Sequence, residues 1–300
     1  MRLTTLFPIL LAAALGVLSP LHAEEVKLKH NGLTLNASLE KADASWPAGP
    51  VALVVHGTLA HNGMEIITTL QTLFADRGVS SLAINLSLGL DDRHGMYDCK
   101  TPHTHKHTDA LDEIGAWLGW LKGQGVERVV LLGHSRGGNQ VAWFATERDD
   151  PLVTQLVLVA PATWSAEHAA ADYEKRYGTK LAPLVTKAEK MVREGQATSF
   201  LEPVGFIYCE DAKATAEAFV SYHGSDARMD TPTLVPKIHK PVLVFVGSAD
   251  EVVAGLQEAM TPLAESGAIE LEVIDGADHF FRDLYAEDLV DRSVAFIGVE

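Results

Sequence analysis

Short apolar runs recur at 51–55, 82–86, 129–132, 155–160, 242–246 and 269–274, mostly separated by segments with helical spacing. That alternation constrains the fold of this chain more than any other feature. A strand buried on both faces must be apolar at successive positions, because neighbouring side chains point to opposite sides. Such strands, alternating with helical patterns at 64–76, 108–121, 139–147, 252–264 and 284–297, predict an α/β class fold: a doubly wound, mostly parallel β-sheet flanked by helices. Ahead of them, 26–30 and 33–39 alternate apolar with polar around Asn31-Gly32, which predicts an antiparallel hairpin at the sheet edge.

The alternation breaks once. About 80 residues separate Pro161 from Pro241, far more than the 2 to 6 usual in α/β connections. We read 163–236 as an inserted, mainly helical cap, with helical spacing at 166–177, 184–194 and 212–222 and a short strand at 204–208. The sheet-forming core then falls in two parts, 24–162 and 237–300. Residues 1–23 read as a secretory signal peptide: Arg2, an apolar run over 6–18 too short to span a bilayer, and a cleavage region ending at Ala23. This predicts a periplasmic or secreted protein with no stable membrane anchor. Removing Arg2 with the signal leaves 23 basic residues against 40 acidic ones, a formal −17. Such a charge disfavours nucleic acid and anionic membranes as partners.

One apolar run leads directly into Gly133-His134-Ser135-Arg136-Gly137-Gly138, and a helical pattern follows. Strand, sharp turn and helix are what a nucleophilic serine needs: glycines allow close passage of backbones, and the helix N-terminus favours developing negative charge. The competing reading is a glycine-rich turn with an ordinary capping serine. Two further segments reduce its weight. The run at 242–246 ends at Gly247-Ser248-Ala249-Asp250, and the last strand is followed by Asp275-Gly276-Ala277-Asp278-His279. Serine, acid and histidine thus occur in that order along the chain.

With His56-Gly57-Thr58, these blocks resemble the α/β-hydrolase superfamily over nearly all of the chain after residue 23. The resemblance implies a capped serine esterase or lysophospholipase-like enzyme acting on a small-molecule acyl substrate. Ser135 would be nucleophile, His279 general base and Asp250 its orienting carboxylate, with the backbone amides of Thr58 and Arg136 as oxyanion donors. Asp275 and Asp278 are rival acids, more naturally turn residues because they lie so close to His279. His56 is read as structural. The chemistry needs no cofactor. A serine peptidase or amidase uses the same machinery and remains the alternative within enzymes.

Cys99 and Cys209 in an exported chain suggest a disulfide, with two buried thiols as the other reading. The segment 87–107 is rich in aspartate and histidine. His103, His105 and His107 at alternate positions are candidate metal ligands if they share one side of an extended segment. A non-catalytic, metal-binding protein on this fold is the runner-up reading. Eight aromatics of the insertion, among them Trp164, Tyr173, Tyr177, Phe206, Phe219 and Tyr222, are candidates to line an acyl pocket or to form the insertion's own core. Oligomeric state is not read from the sequence.

Overall fold

The computed structural model describes residues 23–43, 46–253 and 255–299. The signal peptide expected at 1–23 therefore lies, apart from Ala23, outside the described residues. The chain opens with the hairpin β1 (Glu24–His30) and β2 (Leu33–Glu40). It continues through β3 (Pro50–Val55), α1 (Glu65–Asp76), β4 (Ser80–Asn85), α2 (Asp109–Gly123), β5 (Arg128–His134), α3 (Arg136–Glu147) and β6 (Val153–Val159). The long connection holds α4 (Ala166–Tyr177), α5 (Leu181–Arg193), β7 (Phe200–Phe206), β8 (Cys209–Thr215), α6 (Ala216–His223) and the short α7 (Thr231–Leu234). Finally come β9 (Val242–Gly247), α8 (Leu256–Glu265), β10 (Glu270–Ile274) and α9 (Leu284–Ile297).

Among the described residues an eight-stranded sheet runs in the order β1-β2-β4-β3-β5-β6-β9-β10. Only β1–β2 and β2–β4 pair antiparallel; the remaining ladders are parallel. The apolar runs are continuous because both faces are covered. Val51, Leu53 and Val55 of β3 pack with Trp117 and Leu118 of α2 and Phe144 of α3. Ala52 and Val54 face Leu70 and Phe74 of α1 and Leu289 and Val290 of α9. Each fully buried Leu, Val or Phe contributes about 1.5–3 kcal/mol, so the two layers hold the carboxyl ends of β5, β9 and β10 in fixed relation.

Two helix starts differ most from the sequence reading, and the strand expected at 204–208 runs instead from Phe200 to Phe206. The helix expected from 252 begins at Leu256, because the Asp250 carboxylate accepts the N–H groups of Val252 (2.7 Å) and Val253 (3.1 Å) and holds them in a turn. The helix expected over 212–222 begins at Ala216. Ala212 and Ala214 instead lie in β8, paired with Val204 and Leu201 of β7. The alternate buried alanines at 212, 214, 216 and 218 have the period of a strand, and β7 supplies the partner that realises it as far as Thr215. The long connection thus carries a β-hairpin as well as helices.

That hairpin is fastened to the core by the loop after β4. Cys99 and Cys209 form a disulfide with Cα atoms 5.3 Å apart. His103 donates its N–H to the Lys213 carbonyl (2.7 Å) and accepts from the Thr215 N–H (2.9 Å).

Candidate active site

Ser135 stands between β5 and α3 with φ 57° and ψ −122°, a conformation unfavourable for a residue with a side chain and costing about 1–3 kcal/mol. Three hydrogen bonds hold it there: its N–H donates to the Val159 carbonyl (2.9 Å), and its own carbonyl accepts from Gly138 and Ala162 (3.0 Å each). The glycines are required by space. A Cβ on Gly133 would overlap the Gly137 backbone, and one on Gly137 would overlap the carbonyl oxygens of Val55 and His56. The local sequence can therefore make this tight turn and lift the Ser135 side chain into a cavity.

Asp250 and His279 meet at the same end of the sheet. Nδ1–H of His279 donates to Asp250 Oδ2 at 2.8 Å, and both side chains are almost fully buried. Burial pushes the Asp250 carboxyl up, but the His279 hydrogen bond and the Val253 and Val252 amides outweigh it, so it lies below the ordinary aspartate range. The bond to Asp250 leaves His279 Nε2 as the nitrogen available to a neighbour. The other two acids are engaged in turns: Asp275 accepts from Ser248 Oγ (2.9 Å), and Asp278 accepts from the Phe280 N–H (2.9 Å) and Arg282 (3.2 Å). His134 donates Nε2–H to the His279 carbonyl (2.9 Å), tying the turn of Ser135 to the histidine loop.

Opposite lies the loop His56-Gly57-Thr58. His56 donates Nδ1–H to the Gly57 carbonyl (2.9 Å) and accepts from the Leu86 N–H at Nε2 (3.1 Å); burial lowers it to about 3, so it is a neutral strut. Arg136, as first residue of α3, has a backbone N–H without an intrahelical acceptor. The sequence reading missed Arg93. This buried guanidinium donates to the carbonyls of Ala60 (2.8 Å), Leu86 (2.8 Å) and Gly95 (2.6 Å) and to Asn85 Oδ1 (2.7 Å), bracing the Thr58 loop from beneath. Nothing in its sequence neighbourhood distinguishes it from the other charges of an acidic loop. Glu113 was also missed. It accepts from Ser87 N–H (2.8 Å) and Oγ (2.5 Å), and burial pushes it up to about 7.

A cavity of about 710 Å³ lies over these residues, lined by Ser135, His279, Thr58 and Arg136 from the core and by Trp164, Tyr173, Tyr177 and Tyr222 from the long connection. Phe206 and Phe219 are wholly buried in packing and do not line it. The three alternating histidines do not converge on one point. His103 Nδ1 lies 3.3 Å from His105 Nε2, His105 Nδ1 lies 2.8 Å from the Tyr222 hydroxyl, and His107 Nε2–H donates to Asn139 Oδ1 (2.9 Å). Tyr97 stacks on His103 at 4.7 Å. Burial holds them at about 4, 3 and 3 respectively. They form a neutral buried chain joining the loop to α3 and α6, because alternate positions on this loop face different neighbours. Among the described residues, a three-residue set close enough to share an ion is Glu25, Asp92 and His94, already joined to each other and to Lys27 by surface ion pairs.

Residues 50–282 match the protein-family model described as serine aminopeptidase, S33. The chain is also similar in structure to Est1E from Butyrivibrio proteoclasticus, with 21% identity over 91% of this chain and 98% of that one and a TM-score of 0.63. A Pyrococcus furiosus esterase, Pf2001, is 15% identical over 92% of this chain and 90% of its own, with a TM-score of 0.59. An E-2-(acetamidomethylene)succinate hydrolase is 19% identical over 92% and 99%, with a TM-score of 0.59. At these identities the likeness to solved structures is one of fold.

Proposed function

Because the chain belongs to the α/β-hydrolase family described as serine aminopeptidase, S33, we propose that it is an exported serine hydrolase that cleaves an ester or related acyl bond. The observation that carries this reading is the 2.8 Å Asp250–His279 hydrogen bond at the cavity that also receives the strained Ser135 turn. Ser135 Oγ attacks the acyl carbonyl while His279 Nε2 takes its proton, and Asp250 stabilises the imidazolium that forms. The tetrahedral oxyanion accepts from the backbone N–H groups of Arg136 and Thr58. Collapse breaks the bond to the leaving group, which receives the proton from His279. Water then attacks the acyl-enzyme with the same base, releasing the acid and restoring Ser135.

In this reading 163–236 acts as the cap, and its aromatic wall at Trp164, Tyr173 and Tyr177 receives the apolar part of the substrate. Est1E has been solved with ferulic acid bound, which makes aromatic acyl esters a reasonable first panel. Export draws support from the disulfide, a bond that persists in oxidising compartments. Among the described residues no helix is long and apolar enough to cross a membrane. The test is labelling with a fluorophosphonate, comparing wild type with Ser135→Ala, followed by matched acyl esters and aminoacyl amides. Labelling confined to wild type is expected, with turnover of esters above amides. Equal labelling of the two proteins overturns the nucleophile assignment, and preference for amides selects the peptidase reading.

A further inference from the structure

Arg136 brings a positive charge into the cavity without a carboxylate to balance it. Its Nε–H donates to Thr58 Oγ1 at 3.0 Å, Nη1 lies 3.4 Å from His107 Nδ1, and the guanidinium carbon sits 5.3 Å from the centre of the Tyr222 ring. All three partners are neutral: burial pulls His107 down to about 3 and pushes the Tyr222 phenol up. A guanidinium offers five N–H donors. Among the described residues Nη2 has no hydrogen-bond partner, and no Asp or Glu pairs with this arginine.

His223, next to Tyr222 on α6, lines the same cavity. Its ring packs against Phe219 (4.7 Å) and Tyr173 (5.3 Å), and its Nε2 is buried without a partner among the described residues. Burial keeps the ring neutral, at about 3, so it has one N–H to offer. Leaving the buried His223 Nε2 without a partner costs about 1–3 kcal/mol, while the half-buried Arg136 keeps free donors at the cavity surface. A ligand with negatively charged acceptors would satisfy both groups.

We propose that Arg136, assisted by His223, anchors a carboxylate of the substrate, so that the acyl bond cleaved belongs to a monoanionic ester whose carboxylate lies a few atoms from the scissile carbonyl. This rests on the reading of Ser135 as nucleophile, since sequence adjacency puts the anchor beside it. A planar guanidinium fork matches a carboxylate. A phosphate dianion would bring a second charge into a wall made largely of aromatic rings, with no second unpaired cation there. Of the cavity's own acids, Asp172 is engaged by Arg176 at 3.3 Å and Glu251 is exposed. The chain's −16 charge does not oppose the anchor, because exposed charges are screened beyond about 8 Å at physiological salt. A substrate with a free ammonium at this point would meet a like charge.

The test compares kcat/KM for matched esters. One pair carries the charge on the acyl side: para-nitrophenyl monoglutarate against para-nitrophenyl pentanoate. The other carries it on the leaving side: meta-butanoyloxybenzoate against phenyl butanoate. Wild type is expected to favour the carboxylate member of at least one pair by roughly tenfold or more, and Arg136→Gln to lose that preference mainly through KM. Arg136→Lys should keep part of it, and His223→Leu should lose about threefold. Equal turnover within both pairs, or a proportional loss on both members in Arg136→Gln, overturns the anchor. Calorimetric binding of monomethyl glutarate to Ser135→Ala reads the anchor without turnover. Binding that disappears in Ser135→Ala/Arg136→Gln, with wild type that hydrolyses none of the esters and takes no Ser135-dependent fluorophosphonate label, sustains the anchor while refuting the nucleophile. Hydrolysis without preference and without binding does the reverse.

Discussion

Replacing His107 with glutamine isolates one link of the buried histidine chain and has a magnitude that can be worked out in advance. His107 is 1% exposed, with Nε2–H on Asn139 and Nδ1 facing Arg136, and burial, then the Arg136 charge, lowers it to about 3. In the unfolded chain it titrates near 6.5. Its folded value is depressed below the unfolded one, so the unfolded state takes up the proton first. Its contribution is therefore complete above about pH 6.5 and is lost as pH falls towards 3. At pH 5 the unfolded chain gains 1.5 pH units of protonation free energy at about 1.36 kcal/mol each, a loss of about 2 kcal/mol. His107→Gln lacks this term. Urea unfolding of the oxidised protein at pH 7.5 and pH 5.0 should show the variant's deficit shrinking by about 2 kcal/mol at the lower pH. An identical deficit at both pH values would refute the claim that His107 is held neutral. His56, His105 and His134 are shifted in the same direction, so wild type itself should lose stability steeply between about pH 6 and 4.

Asp250→Asn keeps the shape of the site but removes the charge that orients His279; kcat should fall by about 10,000-fold with KM little changed, and a loss under tenfold in ester kinetics would assign the orienting role elsewhere. Gly137→Ala sets a Cβ against two carbonyl oxygens under the Ser135 turn, so fluorophosphonate labelling should disappear and thermal unfolding should shift down by several degrees; wild-type labelling would contradict the packing argument. Cys99→Ser/Cys209→Ser opens a loop with sequence separation 110, for which the chain-entropy relation gives about 4–5 kcal/mol; denaturation midpoints equal to those of wild type would show that the tie adds nothing.

The sheet was legible because burial on both faces leaves an unbroken apolar run, as at 51–55 and 242–246, and the Ser135 turn because its glycines are demanded by backbone overlap. Asp250 and His279 could be picked out by their places after strands, although only the folded chain brings them to 2.8 Å. What the sequence concealed depends on how loops fold back on their partners, near and far. Arg93 reads as one more loop charge until four carbonyl and amide oxygens gather around it. His103, His105 and His107 have spacing that suits ligands equally well, and it is Tyr97 of the same loop, with Tyr222 and Asn139 from remote helices, that makes them packing groups. The alanines at 212 and 214 needed β7 beside them before they could be read as strand.

The bond between Cys99 and Cys209 has a mechanical meaning for the cavity. The segment between β6 and β9 is attached to the sheet where it leaves and where it returns, and a flap joined only there would be free to swing about those two points. Here the loop after β4 adds further attachments to the β7–β8 hairpin: the disulfide at its turn and the two His103 backbone bonds further along β8. Each of these ties restricts such a swing. Met96, Tyr208 and Val252, each more than half exposed, line the cavity that holds Ser135, and Tyr208 is the chain neighbour of Cys209, so reduction of the disulfide bears directly on the edge of that cavity.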